Sequence, residues 1–172
     1  MADGTAAIPL RADTIGSLPA VVQVPRYPLN QRRVGIVHLG LGGFHRAHMA
    51  RYTHALMQRD SDALHWSIAG AGLLAADRRM AESLGPQDGL YTLVERGGGG
   101  ETVTVIGSIA EPIYARDSSA ALLDVIARPE VRIVSLTVTE NGYCLNPATR
   151  RLDPDHALIR ADLATPETPR SA

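Results

Sequence analysis

The 172 residues include one cysteine, one tryptophan and one phenylalanine, and aromatic residues make up only 4%. The lone thiol, Cys144, cannot close an internal disulfide, and no cysteine or histidine stands at finger-like spacing from it. That pattern fits a reducing compartment and gives no sign of a structural zinc site. An excess of either charge is also missing: 17 basic against 18 acidic residues leave a formal net charge of -1, without the basic footprint of a nucleic-acid binder. Nowhere does an apolar run reach the roughly 18 residues that a membrane span needs. The first 30 residues are broken by Pro9, Pro19, Pro25 and Pro28, so they hold no secretory apolar stretch and read as an irregular lead-in. No internal repeat is present. The expectation is a cytoplasmic protein with neither nucleic acid nor membrane as partner.

What the chain does have is a hydrophobic content of 45%, ample for a core at ordinary domain length. Val34–Leu39 is a short apolar run without alternation, as in a strand covered on both faces of a parallel sheet. A glycine cluster breaks it, and residues 46–59 then follow a helical period. Met49, Tyr52, Thr53, Leu56 and Met57 are expected on the inner side of that helix, with Arg46, Arg51, Gln58 and Arg59 largely on the outer. His65–Gly72 reads as a second strand and closes a βαβ unit. A helix follows over Asp77–Leu84, then a hairpin of Leu90–Arg96 and Thr102–Ile109 around Gly97–Gly100. Asp117 is placed to cap a helix reaching Ala127, and Val131–Val138 is the next strand. Asp155–Leu163 fits one more short helix.

The sharpest local signal is Gly40-Leu41-Gly42-Gly43-Phe44-His45-Arg46, set between a buried strand and a helix. Glycines at 40 and 42 permit a tight turn and close approach of backbone to a pyrophosphate, which the following helix N-terminus favours. Arg46 would add positive charge. The third glycine of the usual G-x-G-x-x-G fingerprint is replaced by His45, so the motif alone also fits a bare strand-to-helix turn; the βαβ frame favours a dinucleotide. Asp77 is the candidate for the adenine-ribose hydroxyls, a role that selects NAD because a 2′-phosphate would be repelled. The neighbouring Arg78 and Arg79 leave room for NADP, and Asp77 could equally be a helix cap. His45 and His48 stand at helical spacing but have no third ligand, so no metal is expected. Glu140, after the Val131–Val138 strand, is either a solvated turn residue or a proton-handling group.

The phrase Gly35-Ile-Val-His-Leu-Gly-Leu-Gly-Gly-Phe-His-Arg-Ala-His48 resembles the opening of the long-chain mannitol dehydrogenase family, which includes mannitol 2-dehydrogenases and fructuronate reductases. Further similar stretches are Trp66-Ser-Ile-Ala-Gly-Ala-Gly-Leu73, Gln87-Asp-Gly-Leu-Tyr-Thr-Leu93, Val105-Ile-Gly-Ser-Ile109 and Ile133-Val-Ser-Leu-Thr-Val-Thr-Glu-Asn-Gly-Tyr143. The resemblance implies an α/β, Rossmann-like, doubly wound and mostly parallel sheet, incomplete and with an inserted β-hairpin. It implies metal-free hydride transfer between NAD or NADP and a small sugar alcohol or keto-sugar. By the same resemblance Gly40–Arg46 form the pyrophosphate turn, Asp77 meets the adenine ribose, and Glu140 lies near the proton path. Two departures are Asn141, where many relatives have glycine, and Ala76, where some have a second acid. The family's lysine base belongs to a later helical domain. The expectation is therefore a lead-in over 1–30, a partial dinucleotide-binding domain over 31–172, and an N-terminal fragment inactive by itself. Within the family the mannitol type, interconverting D-mannitol and D-fructose, is the leading expectation and a fructuronate reductase fragment the nearest rival; a non-catalytic dinucleotide-binding module is the rival from another class.

Overall fold

The computed structural model describes residues 7–138 and 144–168. The chain divides into two compact units, Met1–Leu136 and Thr137–Ala172.

The first unit is built on β2 (Val34–Leu39), reached after a two-residue strand β1 (Val22–Gln23) within the proline-broken lead-in. All of β3 (Ser67–Gly72) and nearly all of β2 are buried. The four-stranded sheet has the order β6-β3-β2-β7, with β6 spanning Ile109–Tyr114 and β7 spanning Ile133–Leu136. Every pair in it is parallel. Parallel strands need helical crossovers that cover both faces, and the burial pattern follows. Ile36 and Ile68 point to one side with Leu41, Ala50, Leu84 and Ile109, while Val37 and Ala69 point to the other with Leu122 and Val125. The first layer is supplied by α2 (Met49–Met57) and α3 (Arg78–Leu84), the second by α4 (Ala120–Ile126). This is a doubly wound sheet of the Rossmann kind.

Ladder hydrogen bonds revise the expected segments. Ile109 opens β6 rather than ending the hairpin, and that strand was hidden because only Gly107 and Ser108 separate it from β5 (Gly100–Ile106). Pro112, which lacks the N–H of a ladder partner, is tolerated because β6 is an edge strand in the sheet order. The hairpin of β4 (Tyr91–Gly97) and β5 exists, with Gly98 and Gly99 between the strands, but its second strand also pairs in parallel with β1. His65 and Trp66 finish a 3-10 turn before β3 starts. The helix expected over 46–59 begins earlier, as α1 (Gly43–Ala47), and breaks at His48. Its buried face carries Ala50, His54 and Met57, whereas Tyr52 and Leu56 are exposed. Small Ala50 allows the backbone to come close enough for the Ser108 hydroxyl to donate to its carbonyl at 2.6 Å. Asp117 does not cap α4, whose N-cap is Ser119; its carboxylate holds Arg78 instead.

In the second unit, Asn146 Oδ1 accepts from the backbone N–H groups of Ala148 and Thr149 at 2.9 and 3.1 Å. That Asx turn brings Leu145 opposite Leu152 in an antiparallel bridge. The helix α5 (Ala157–Ala164) follows.

Candidate functional site

Because the strands of the main sheet are parallel, Leu39, Gly72, Tyr114 and Leu136 all finish at one edge, where open α/β sheets place their ligands. The glycine turn leaves that edge from β2. Gly40 has φ 131°, a conformation L side chains rarely adopt, and its N–H extends the ladder to the Ala71 carbonyl at 2.6 Å. Leu41 then turns inward and is fully buried; it lies against Gly70, where a Cβ would stand 2.6 Å from the leucine Cδ2. A ligand can therefore meet Leu41 only through its backbone. Gly42 and Gly43 are exposed, with open space where their Cβ atoms would be. Gly42 caps α1 without a side-chain hydrogen bond, which leaves the first N–H groups of that helix directed outward.

The next three residues separate sharply. Phe44 is 65% exposed and stacks on His48 at 4.3 Å between centroids. The guanidinium of Arg46 donates to the Leu41 carbonyl and lies 5.9 Å from the Tyr91 ring centroid. The Tyr91 hydroxyl in turn donates to the Arg46 carbonyl at 2.6 Å, and burial pushes its pKa up. Arg46 thus clasps the turn from behind. His45, where the fingerprint has glycine, is buried and lies parallel to His38, 3.8 Å between centroids and 8° apart. Burial, then the neighbouring His38 and Arg46, lower the His45 pKa to about 3, so the ring is neutral. Among the described residues neither ring nitrogen of His45 has a hydrogen-bond partner. The His38 Nδ1 pairs with Ser135 Oγ on β7 at 2.9 Å.

A second group gathers at the ends of β3 and β6. Asp77 is five residues past Gly72 in sequence, but a 3-10 turn over Ala75–Asp77 carries it back to the strand tip. Its Oδ2 accepts from the N–H groups of Leu73 and Leu74, 3.0 Å each. Gly72 is required by this return, since a Cβ there would stand 2.6 Å from that of Asp77. Beside it Arg78 reaches across to Asp117, lies 3.7 Å from Glu82, and covers the Tyr114 ring at 4.4 Å.

Gly40–Arg46 and Asp77 are therefore both at the carboxyl edge of the sheet. Glu140 lies outside the described residues. Among the described residues no cluster of three or more histidine, cysteine or acidic side chains could hold a metal. Two groups escaped sequence reasoning: the His38–His45–Ser135 stack, and Tyr114 with Asp117. Ser135 is 97 positions from His38, and Tyr114 lies on β6, which Pro112 and the short gap after β5 conceal in the sequence, so no spacing rule joins them.

Residues 34–172 match the Mannitol dehydrogenase Rossmann domain family. The chain is 45% identical over 167 residues to mannitol dehydrogenase 2 of Saccharomyces cerevisiae, covering 97% of this chain and 33% of that protein. It is 42% identical over 166 residues to a mannitol 2-dehydrogenase of Pyrenophora tritici-repentis, covering 96% and 29%. Among solved structures, Pseudomonas fluorescens mannitol 2-dehydrogenase in ternary complex with NAD and D-mannitol superposes with a TM-score of 0.80 at 44% identity, covering 95% and 33%. A substrate-free D-sorbitol dehydrogenase gives 0.76 at 38%, covering 94% and 33%. The chain spans about a third of the length of these relatives. A glycine turn at the carboxyl edge of a parallel, doubly wound sheet and a match along most of its length agree: this chain belongs to the mannitol dehydrogenase Rossmann-domain family.

Proposed function

We propose that the chain is the coenzyme-binding part of an NAD-dependent polyol dehydrogenase, of the type that interconverts D-mannitol and D-fructose. The observation that carries this reading is the turn at Gly40, with φ 131° and an open face at Gly42 and Gly43, in a chain 44% identical to a mannitol 2-dehydrogenase solved with NAD and D-mannitol. The outward N–H groups of Gly42, Gly43 and Phe44 would hold the pyrophosphate, with the backbone of Leu41 completing the turn. His45 and Arg46 would act from beneath, one filling the space behind the turn and the other clasping it. Asp77 would receive the adenine-ribose hydroxyls. The coenzyme supplies or accepts the hydride; the chain's residues bind and orient it.

NAD is favoured over NADP on two counts. The Asp77 carboxylate is fixed at the tip of β3, where a 2′-phosphate would be repelled. Of the two neighbouring cations, Arg78 and Arg79, that could offset the repulsion, Arg78 is engaged by Asp117, Glu82 and the Tyr114 ring. Alcohol oxidation also needs a base within hydrogen-bond reach of the hydroxyl. All 17 basic residues are arginines and none is lysine, so a lysine base would come from outside these residues, and the chain by itself should not oxidise polyols.

Calorimetric titration with NAD and NADP tests the reading. Saturable NAD binding, weaker NADP binding and no D-mannitol oxidation by the chain alone are expected. Failure of both dinucleotides to bind a folded sample would overturn it, and turnover by the pure chain would overturn the placement of the base.

A further inference from the structure

Along α2, from its first turn to just past its end, a cleft of about 280 Å³ opens between the helix, β1 and β5. Its charged lining is of one sign: Arg26, Arg51 and Arg59 face it, and among the described residues no carboxylate does. In a chain whose net charge is -1, three guanidinium groups around one small cleft are a local segregation of charge. Arg51 is steadied from outside the cleft by Glu95, Nε to Oε2 at 3.2 Å.

The uncharged lining is also donor-rich, because both of its glutamine side-chain oxygens are already used. Gln58 Oε1 accepts from the Arg26 backbone N–H at 2.8 Å, and its Nε2 donates to the Val24 carbonyl at 3.1 Å, which fixes that wall. Gln23 Oε1 takes the Thr104 hydroxyl at 3.4 Å and leaves the amide N–H groups over. The Gly107 N–H lies 3.3 Å from His54 Nδ1 and the Tyr27 hydroxyl 2.8 Å from the same atom. A backbone N–H can only donate, so Nδ1 is an acceptor and the proton of this buried ring is on Nε2. What remains for a ligand is the guanidinium groups of Arg26 and Arg59, the terminal nitrogens of Arg51 beyond its Nε contact with Glu95, an imidazole N–H and an amide. Such a set suits a compact multi-oxygen anion, since planar guanidinium groups pair bidentately with phosphate oxygens. The volume is at the lower limit of ordinary ligand pockets, roughly 300–1,000 Å³, which fits one anionic group on a small body and not a polymer.

We propose that this cleft binds a phosphate group, free or carried as the monoester of a small sugar, at a site separate from the dinucleotide turn. Arg51 lies in the first turn of α2 and Arg59 two residues beyond its end. A nine-residue helix is about 13 Å long, so an anion held chiefly by Arg59 and Arg26, whose backbone is tied to Gln58, lies about a helix length from the glycine turn.

The test is a titration of isotope-labelled protein with inorganic phosphate and, separately, glucose 6-phosphate at constant ionic strength. Amide resonances of Ala55, Gln58 and Thr104 report on the cleft. Arg26 and Arg59 are exposed, so the double variant Arg26→Ala/Arg59→Ala keeps the packed core. Saturating shifts in the parent protein, with a midpoint raised at least about tenfold in the variant, are expected. Tighter binding of the sugar phosphate would identify an ester as the ligand, and equal binding would identify free phosphate. Shifts that do not saturate, or that persist unchanged in the variant, overturn the proposal. A variant that loses NAD binding in parallel overturns the separation of the two sites.

Discussion

Asp77 joins an observed role to a proposed one, and a sequence cannot separate the two. Its carboxylate closes the strand tip by accepting two backbone N–H groups, a capping interaction worth about 1 kcal/mol. The same carboxylate, at the tip of β3, is the group we propose for the adenine-ribose hydroxyls. Asp77→Ala is expected to lower stability by about that amount and to raise the NADP-to-NAD affinity ratio by roughly tenfold, about 1.4 kcal/mol. Denaturant unfolding and paired titrations measure the two effects independently. A stability loss with an unchanged ratio would reduce Asp77 to a cap. At this scale the seven consecutive residues of the glycine turn, 40–46, were legible in the sequence because their glycines break a buried strand. Their division of labour was not. That Leu41 and His45 turn inward while Phe44 turns out depends on what lies beneath: Gly70 under one and His38 under the other.

Among the elements, β7 is the most exposed strand of the main sheet. Ile133, Val134 and Leu136 are 43%, 49% and 60% exposed, and among the described residues only β2 pairs with it. An apolar edge of this kind invites association with another strand. Leu136→Lys should therefore change unfolding free energy by no more than about 0.5 kcal/mol, and should reduce self-association of the chain seen by sedimentation. A loss well above 1 kcal/mol would mean that Leu136 is packed in solution. Among the helices, α2 shows where periodicity misleads. Tyr52 and Leu56 are larger and more apolar than Ala50 and His54, yet the smaller pair faces the core. Close approach to the chain around Gly107 and Ser108, with hydrogen bonds to Ala50 and His54, outweighs the apolar area lost. Likewise β6 was concealed by Pro112 and by the two-residue gap before it, and only its ladder to β3 reveals it.

For the whole molecule, three histidines are buried as neutral rings on β2, α1 and α2. Burial is the leading cause of each shift, taking His54 to about 4, His45 to about 3, and His38 below its ordinary value. Below pH 6.5 the unfolded chain takes up protons that the folded chain refuses, so stability is full above that value and falls as the pH drops toward the folded-state values. Each ring contributes a slope of at most about 1.4 kcal/mol per pH unit. Denaturant midpoints measured from pH 7 to 5 should fall steadily, and His54→Gln should flatten the fall by about one proton. A midpoint independent of pH in that interval would contradict the neutral, buried assignment.

By itself the sequence determined the class of fold, the glycine turn and the family resemblance. All three are local: the change from strand to helix period around Gly40 and the phrases that surround it lie within short stretches of chain. Tertiary structure decided what proximity alone can decide. It brought Asp77 back to the tip of β3, set Ser135 against His38 and Tyr114 against Arg78, and gathered Arg26 with Arg51 and Arg59 around one cleft. Sheet order and helix docking create those neighbours, and residues far apart in the chain carry no periodic signal of the partner they will meet.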